Sequence, residues 1–344
     1  MRLLLLILLI TPCFSTTLII GASGAIGTQL TKKLLDNDIQ VIAGLRKTPL
    51  PAHLTSHPNL TQVFGVDCRN ATSINELFSS NPSIDTVWNL AAPLSVETSS
   101  DPNLAYDVVV NGMSRILSAM SVHPNAKIIL FSDSIGSYGS SSPREGASAR
   151  WLLDNPTQDP GSDYGRQKRE CRELIRDWAA AVGERSSRFA VIPGVLHTDA
   201  TWGAGTTEYA LDAVKAAKDN IKYISSVPLN VKLPMIWRDD LIEGLFRLTL
   251  APDSELNEPE NGYAIAGLSF TAAQLFSAIK SRIPSFSYSA ENVRGPAAAF
   301  ARLWPDSLSS HEAERDLKLK ATFRNLEDVV DLLLENAPKI NEEL

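Results

Sequence analysis

Apolar residues come in short runs that alternate with longer amphipathic stretches. Thr17-Leu18-Ile19-Ile20 reads as a strand, and beyond a glycine-rich stretch Leu30, Leu34 and Leu35 share one helical face. Residues 39–43 and 60–66 predict a second and third strand, with Asp67 at the end of the third. Residues 73–78 suggest a helix, 86–91 a fourth strand and 103–120 a long helix. A fifth strand over 127–131, a long helix over 162–182 and a sixth strand over 188–192 complete the run. Strands alternating with helices of this length predict a parallel sheet covered on both faces.

The fold class expected is therefore α/β, a Rossmann-type doubly wound parallel sheet. Residues 16–193 would form a dinucleotide-binding domain that also carries the catalytic residues. Past residue 193 the pattern changes. Residues 203–207 are loop-like, and Pro228, Pro234 and Pro252 mark breaks. Residues 194–344 are expected to form mainly a smaller substrate-binding lobe, its elements interleaved with the first domain.

Composition narrows the function. A net charge of −7 disfavours nucleic acid, whose phosphates need a basic surface. Three dispersed cysteines and five histidines form no CxxC or HExxH pattern, so no metal site is expected. Residues 1–15 combine Arg2, a short apolar run and Ser15, which resembles a signal peptide. That run is too short for an ordinary membrane span, so no stable span is expected. Secretory entry stays open, with the sequons at Asn59 and Asn70 then available for glycosylation. The expected need for nicotinamide cofactor favours the cytoplasm or mitochondrion.

Gly21-Ala22-Ser23-Gly24-Ala25-Ile26-Gly27 is a GxxGxxG loop between a strand and a helix. Its glycines permit a tight turn and close approach to a pyrophosphate, which the helix N-terminus then meets with free N–H groups. Asp67 is either an acceptor for adenine or a solvated strand-end carboxylate. No acidic residue follows the second strand to hold ribose hydroxyls; Arg46 and Lys47 stand there. They either meet the 2′-phosphate of NADP or are exposed loop charges, which leaves NAD and NADP both open.

Tyr164-Gly165-Arg166-Gln167-Lys168 is YxxxK, which puts both side chains on one helical face. A nearby ammonium favours the phenolate form of a tyrosine, suiting it as a base. Ser134 lies just past the fifth strand, where strand C-terminal ends face the ligand crevice, and its hydroxyl can hold a substrate oxygen. Asn111 either anchors a water leading to Lys168 or is an ordinary polar residue within a helix.

This ordered set resembles the extended short-chain dehydrogenases, the NAD-dependent epimerase/dehydratase family, and within them the epimerase-like L-threonine 3-dehydrogenases. The similarity runs over about residues 18–334. Gly205-Thr206-Thr207-Glu208-Tyr209-Ala210 looks like the subfamily's GTTDYA segment, and Leu233-Pro234-Met235-Ile236-Trp237-Arg238-Asp239-Asp240 like its PMxYxDD segment. Tyr263 to Thr271 and Trp304-Pro305-Asp306-Ser307 match two more. The resemblance implies oxidation of L-threonine to 2-amino-3-ketobutyrate, with Tyr164 as base, Lys168 as its charge partner and Ser134 as hydroxyl anchor. It implies that Leu90, Ala91 and Ala92, in the family's alanine-rich turn after the fourth strand, line the cofactor site, that Ser95, Thr206 or Thr207, and Trp304 line the substrate pocket, and that the long helices pair in a homodimer. Asp133, Ile135 and the stretch 137–163 depart from the family pattern, so another β-hydroxy substrate is open. A nucleotide-sugar epimerase with bound NAD and an inactive cofactor-binding relative are the alternatives. Ile135 and Gly136 stand where sugar dehydratases carry an Asp-Glu pair, which argues against dehydration.

Overall fold

The computed structural model describes residues 15–198, 205–256 and 262–336; the apolar run ahead of Ser15 lies outside them. Six parallel strands alternate with helices, as the sequence predicts. They are β1 (Thr16–Ile20), β2 (Gln40–Leu45), β3 (Leu60–Phe64), β4 (Ile84–Asn89), β5 (Ile128–Ser134) and β6 (Ser186–Ile192). The later strands are β7 (Gly194–Leu196), β8 (Tyr223–Ile224), β9 (Lys232–Trp237), β10 (Gly262–Ala264), β11 (Leu268–Thr271) and β12 (Tyr288–Ser289). The main sheet has seven strands in the order β10-β6-β5-β4-β1-β2-β3. The order reverses between β1 and β4, and the crevice at such a switch point is where ligands enter this architecture.

The central strands are apolar at successive positions because helices cover both faces. Leu18, Ile19 and Ile20 of β1 and Val87 and Trp88 of β4 are buried throughout. Edge strand β3 instead mixes exposed and half-buried residues. The helix Ala25–Leu35 buries Leu30, Leu34 and Leu35, the face its spacing predicts.

Three features differ from the sequence reading. β5 continues past residue 131 to Ser134, although Ser132 and Asp133 are polar. Both are buried, and both have partners on the helix Asp163–Ala180: Lys168 donates to the Ser132 carbonyl oxygen and Arg172 pairs with Asp133. The long helix expected over 103–120 is broken by a wide π turn, Asp107–Asn111, between Pro102–Tyr106 and Gly112–Val122. The seventh strand of the main sheet, β10, comes from beyond residue 260 and pairs parallel with β6 through Phe189, Ala190 and Val191.

The remaining late strands form a three-stranded sheet, β11-β9-β7, and a small β12-β8 pair. Leu233, Met235, Phe270, Phe276 and Val329 anchor a hydrophobic cluster of their own there. The late chain is also tied to the main sheet. The indole N–H of Trp88 donates to Thr249 Oγ1 at 2.8 Å, from β4 to the helix Arg238–Leu250. Among the described residues no helix is long and apolar enough to cross a membrane, and no group of side chains is arranged to hold a metal ion.

Candidate active site

The loop after β1 is built for close approach. Gly21 has φ +85, and a Cβ there would lie 2.9 Å from the Ala91 nitrogen. A Cβ on Gly27 would lie 2.4 Å from the Gly21 carbonyl oxygen, so the loop closes against its own helix only with glycine there. Gly24 caps the helix Ala25–Leu35 without any side-chain bond, which leaves the first N–H groups of that helix for a ligand. These features fit a dinucleotide pyrophosphate.

Two connected clefts meet at this loop. One, of about 530 Å³, is lined by Gly21, Ser23, Gly24, Arg46, Asp67, Leu90, Ala91 and Ala92, among others. It thus gathers most of the cofactor-side residues that the sequence singles out. Asp67 is not a free acceptor. Its carboxylate takes a bidentate pair from Arg69, and that bond holds its pKa down at about 2. Arg46, just past β2, and Arg69, past β3 and paired with Asp67, both line this cleft.

The second cleft, of about 360 Å³, runs from Gly21, Gly24, Ala25, Ile26 and Gly27 to Ser134, Tyr164 and Lys168. Ser134 ends β5, and its Oγ accepts from Gly136 N–H at 3.1 Å. Ser162 caps the helix Asp163–Ala180 by accepting from Gly165 N–H, which fixes Tyr164 in its first turn. A Cβ on Gly165 would lie 2.0 Å from the Gly136 oxygen, and one on Gly136 would lie 2.7 Å from the Tyr164 ring. This pair of glycines lets the helix start, the serine strand and the tyrosine ring meet. Lys168 Nζ sits 5.5 Å from the Tyr164 ring centre and 4.8 Å from that of Phe131. It is buried, and donates to the Ser132 carbonyl oxygen at 2.7 Å.

At the far end stand Ser95, Thr206, Thr207 and Trp304. Ser95 Oγ and Thr206 Oγ1 are 3.2 Å apart, and Thr206 N–H donates to Ser95 Oγ. The Trp304 indole N–H is buried without a hydrogen-bond partner among the described residues. Asn111 ends the π turn Asp107–Asn111; its side chain is exposed, donates to Asp107 at 3.1 Å and lines neither cleft.

Sequence reasoning missed several lining residues. The Asp133–Arg172 ion pair lies fully inside, with Asp133 also accepting from Ser134 N–H and from Ser137 Oγ. Asp133 stood out in the sequence only as a departure from the family pattern, and Arg172, eight residues after Tyr164 on the same helix, is what explains it. His197, Glu208 and Arg238 also line the second cleft. Only the motif segments around Glu208 and Arg238 hinted at them.

The model of the NAD dependent epimerase/dehydratase family matches residues 17–265. The chain belongs to that family. A curated relative described as an uncharacterized epimerase/dehydratase of Staphylococcus haemolyticus is 28% identical, covering 92% of this chain and 96% of its own. A solved partial-consensus L-threonine 3-dehydrogenase is 28% identical with a TM-score of 0.80, covering 93% of this chain and 98% of that one. The holo form of a GalE-like L-threonine dehydrogenase from Cupriavidus necator is 27% identical with a TM-score of 0.78, covering 93% and 99%. Membership makes this an NAD-dependent enzyme fold of the dehydrogenase and epimerase kind.

Proposed function

We propose that this chain is an NAD(P)-dependent dehydrogenase that oxidises the hydroxyl of a small β-hydroxy substrate, with L-threonine to 2-amino-3-ketobutyrate as the preferred reaction. The observation that carries this reading is the convergence of Ser134, Tyr164 and Lys168 on one cleft continuous with the glycine loop. Likeness to L-threonine dehydrogenases supports the choice of substrate.

In this reading the Gly21–Gly27 loop holds the cofactor's pyrophosphate, and the bound nicotinamide supplies the hydride acceptor. Ser134 donates its hydroxyl proton to the substrate oxygen. Tyr164 takes the substrate's hydroxyl proton. Lys168 stabilises the charge on the tyrosine oxygen before that transfer, and its bond to the Ser132 carbonyl fixes where the charge sits. Residues 194–344 act mainly as the substrate lobe, bringing Thr206, Thr207 and Trp304 to the cleft. Arg46, just past β2, favours an additional phosphate, so NADP is tested beside NAD. Homodimerisation through the helices near residues 102–122 and 163–180 is part of the proposal, and sedimentation of the purified chain decides it.

The test is absorbance at 340 nm with purified protein, L-threonine, and NAD or NADP in parallel. Growth of reduced cofactor, lost in Tyr164→Phe, is the expected result. Folded protein that binds a cofactor yet reduces none with threonine overturns that substrate and turns attention to other alcohols or to epimerisation with retained NAD.

A further inference from the structure

Among the described residues, the second cleft is lined by two carboxylic acids, Asp133 and Glu208. Asp133 is fully engaged by Ser134, Ser137 and Arg172. Glu208 is not. Its Oε2 is buried and has no hydrogen-bond partner among the described residues. A buried acceptor without a donor is costly, so a site that keeps one has a use for it.

The local chain is shaped around this carboxyl. Glu208 stands just ahead of the helix Tyr209–Lys218. A Cβ on Gly205 would lie 2.2 Å from Oε2, so only glycine at 205 leaves the carboxyl in place. The intervening Thr206 and Thr207 line the same cleft. Burial is the first cause that pushes the Glu208 pKa up, to about 7, and the negative charges of Asp212 and Glu97 push the same way. The basic residues on this lining are Lys168, His197 and Arg238. Lys168 is held by the Ser132 carbonyl oxygen, and Arg238 lies 3.5 Å from Asp239. A cationic ligand group beside Glu208 would satisfy Oε2 and draw the carboxyl into its charged form.

We propose that Glu208 is a specificity-determining residue that takes an ammonium group on the substrate, so that the enzyme selects alcohols carrying an amine beside the hydroxyl-bearing carbon over their des-amino counterparts. This rests on the dehydrogenase reading above. The basic groups on the lining leave room for a carboxylate at another point of the same cleft.

The test compares L-threonine, 1-amino-2-propanol (a cation without a carboxylate) and 3-hydroxybutanoate (a carboxylate without an amine) in wild type, Glu208→Gln and Glu208→Asp. Glu208→Gln is expected to lower the ratio of kcat/KM for either amine to that for 3-hydroxybutanoate by at least about tenfold, mainly through KM. Glu208→Asp is expected to restore part of that ratio. Quenching of protein fluorescence by NADH reports whether the variants remain folded around the cofactor. An unchanged ratio in Glu208→Gln, or a wild type that prefers 3-hydroxybutanoate, overturns the proposal and leaves the dehydrogenase standing. If wild type oxidises none of the three, calorimetric titration of the NADH-loaded protein with 1-amino-2-propanol decides. Binding that Glu208→Gln loses upholds the ammonium site while the dehydrogenase reading falls; no binding overturns both.

Discussion

Gly136→Ala isolates the positioning of Tyr164 from its chemistry. The new methyl carbon would lie 2.7 Å from Cδ1 and 2.8 Å from Cε1 of the tyrosine ring, and 3.6 Å from Ser134 Oγ. Restoring contact at 3.4 Å requires the ring to retreat by about 0.7 Å. Gly136 is not among the glycines with positive φ, so alanine strains no backbone and the cost is steric. Overpacking of this kind costs about 1–3 kcal/mol, which in a chain of this length lowers Tm by only a few degrees. Displacing a reacting group by about 1 Å costs on the order of a hundredfold in rate. The expected variant is folded, binds NADH as wild type does, and has kcat/KM reduced by roughly a hundredfold with the substrate that wild type oxidises best. The assay is steady-state reduction of the cofactor at 340 nm beside a thermal melt. A variant with kcat/KM within threefold of wild type would show that the ring need not sit where it does, and the argument for Tyr164 as a precisely placed base would fail.

Other expectations follow from charge. Arg172→Met leaves Asp133 as an unpaired buried carboxylate and should cost about 3–5 kcal/mol in guanidinium unfolding, with Asp133→Asn/Arg172→Met recovering most of it; equal losses in single and double variants would refute the pairing argument. Glu208 keeps its proton in the folded chain up to about pH 7, whereas the unfolded chain releases it near its ordinary 4.5. The folded state therefore loses stability as pH rises through that window, by up to ~3 kcal/mol. Melting curves of wild type and Glu208→Gln should diverge between those pH values, the variant being the more stable at pH 8; parallel curves would refute this. Arg46→Ala should raise the dissociation constant of NADPH about tenfold and leave that of NADH unchanged, read by fluorescence titration. Equal effects on both would make Arg46 a solvated rim charge.

What the sequence made legible was whatever has a local period. Strands β1 to β6, the glycine loop and the apolar face of its helix are set by neighbours in the chain. Ser134, Tyr164 and Lys168 were readable because one lies at a strand end and the other two at a fixed helical spacing. The end of β5 was not, because Ser132 and Asp133 look like loop residues until Lys168 and Arg172 are brought across to them. The π turn escaped because it shifts the register of a helix without changing its composition. Glu208 matters through one buried oxygen, Oε2, that has no partner among the described residues, and a missing contact has no sequence pattern.

The strand β10 has a consequence for how the protein is made. The outer edge of β6 offers unpaired backbone beside Phe189 and Val191 until Gly262–Ala264 is synthesised. At about 5–20 residues per second, the stretch from Ile192 to Ala264 takes roughly 4–14 s to emerge. Through that interval a nascent sheet would present a bare parallel edge, the feature most prone to pairing with a neighbouring chain. Gly262 also packs so closely that a Cβ would lie 2.1 Å from the Phe189 ring, so few substitute strands can close the edge. Chains truncated before residue 262 should therefore accumulate as aggregates, and slow synthesis of the later chain should make chaperone holding of the first half a condition of yield.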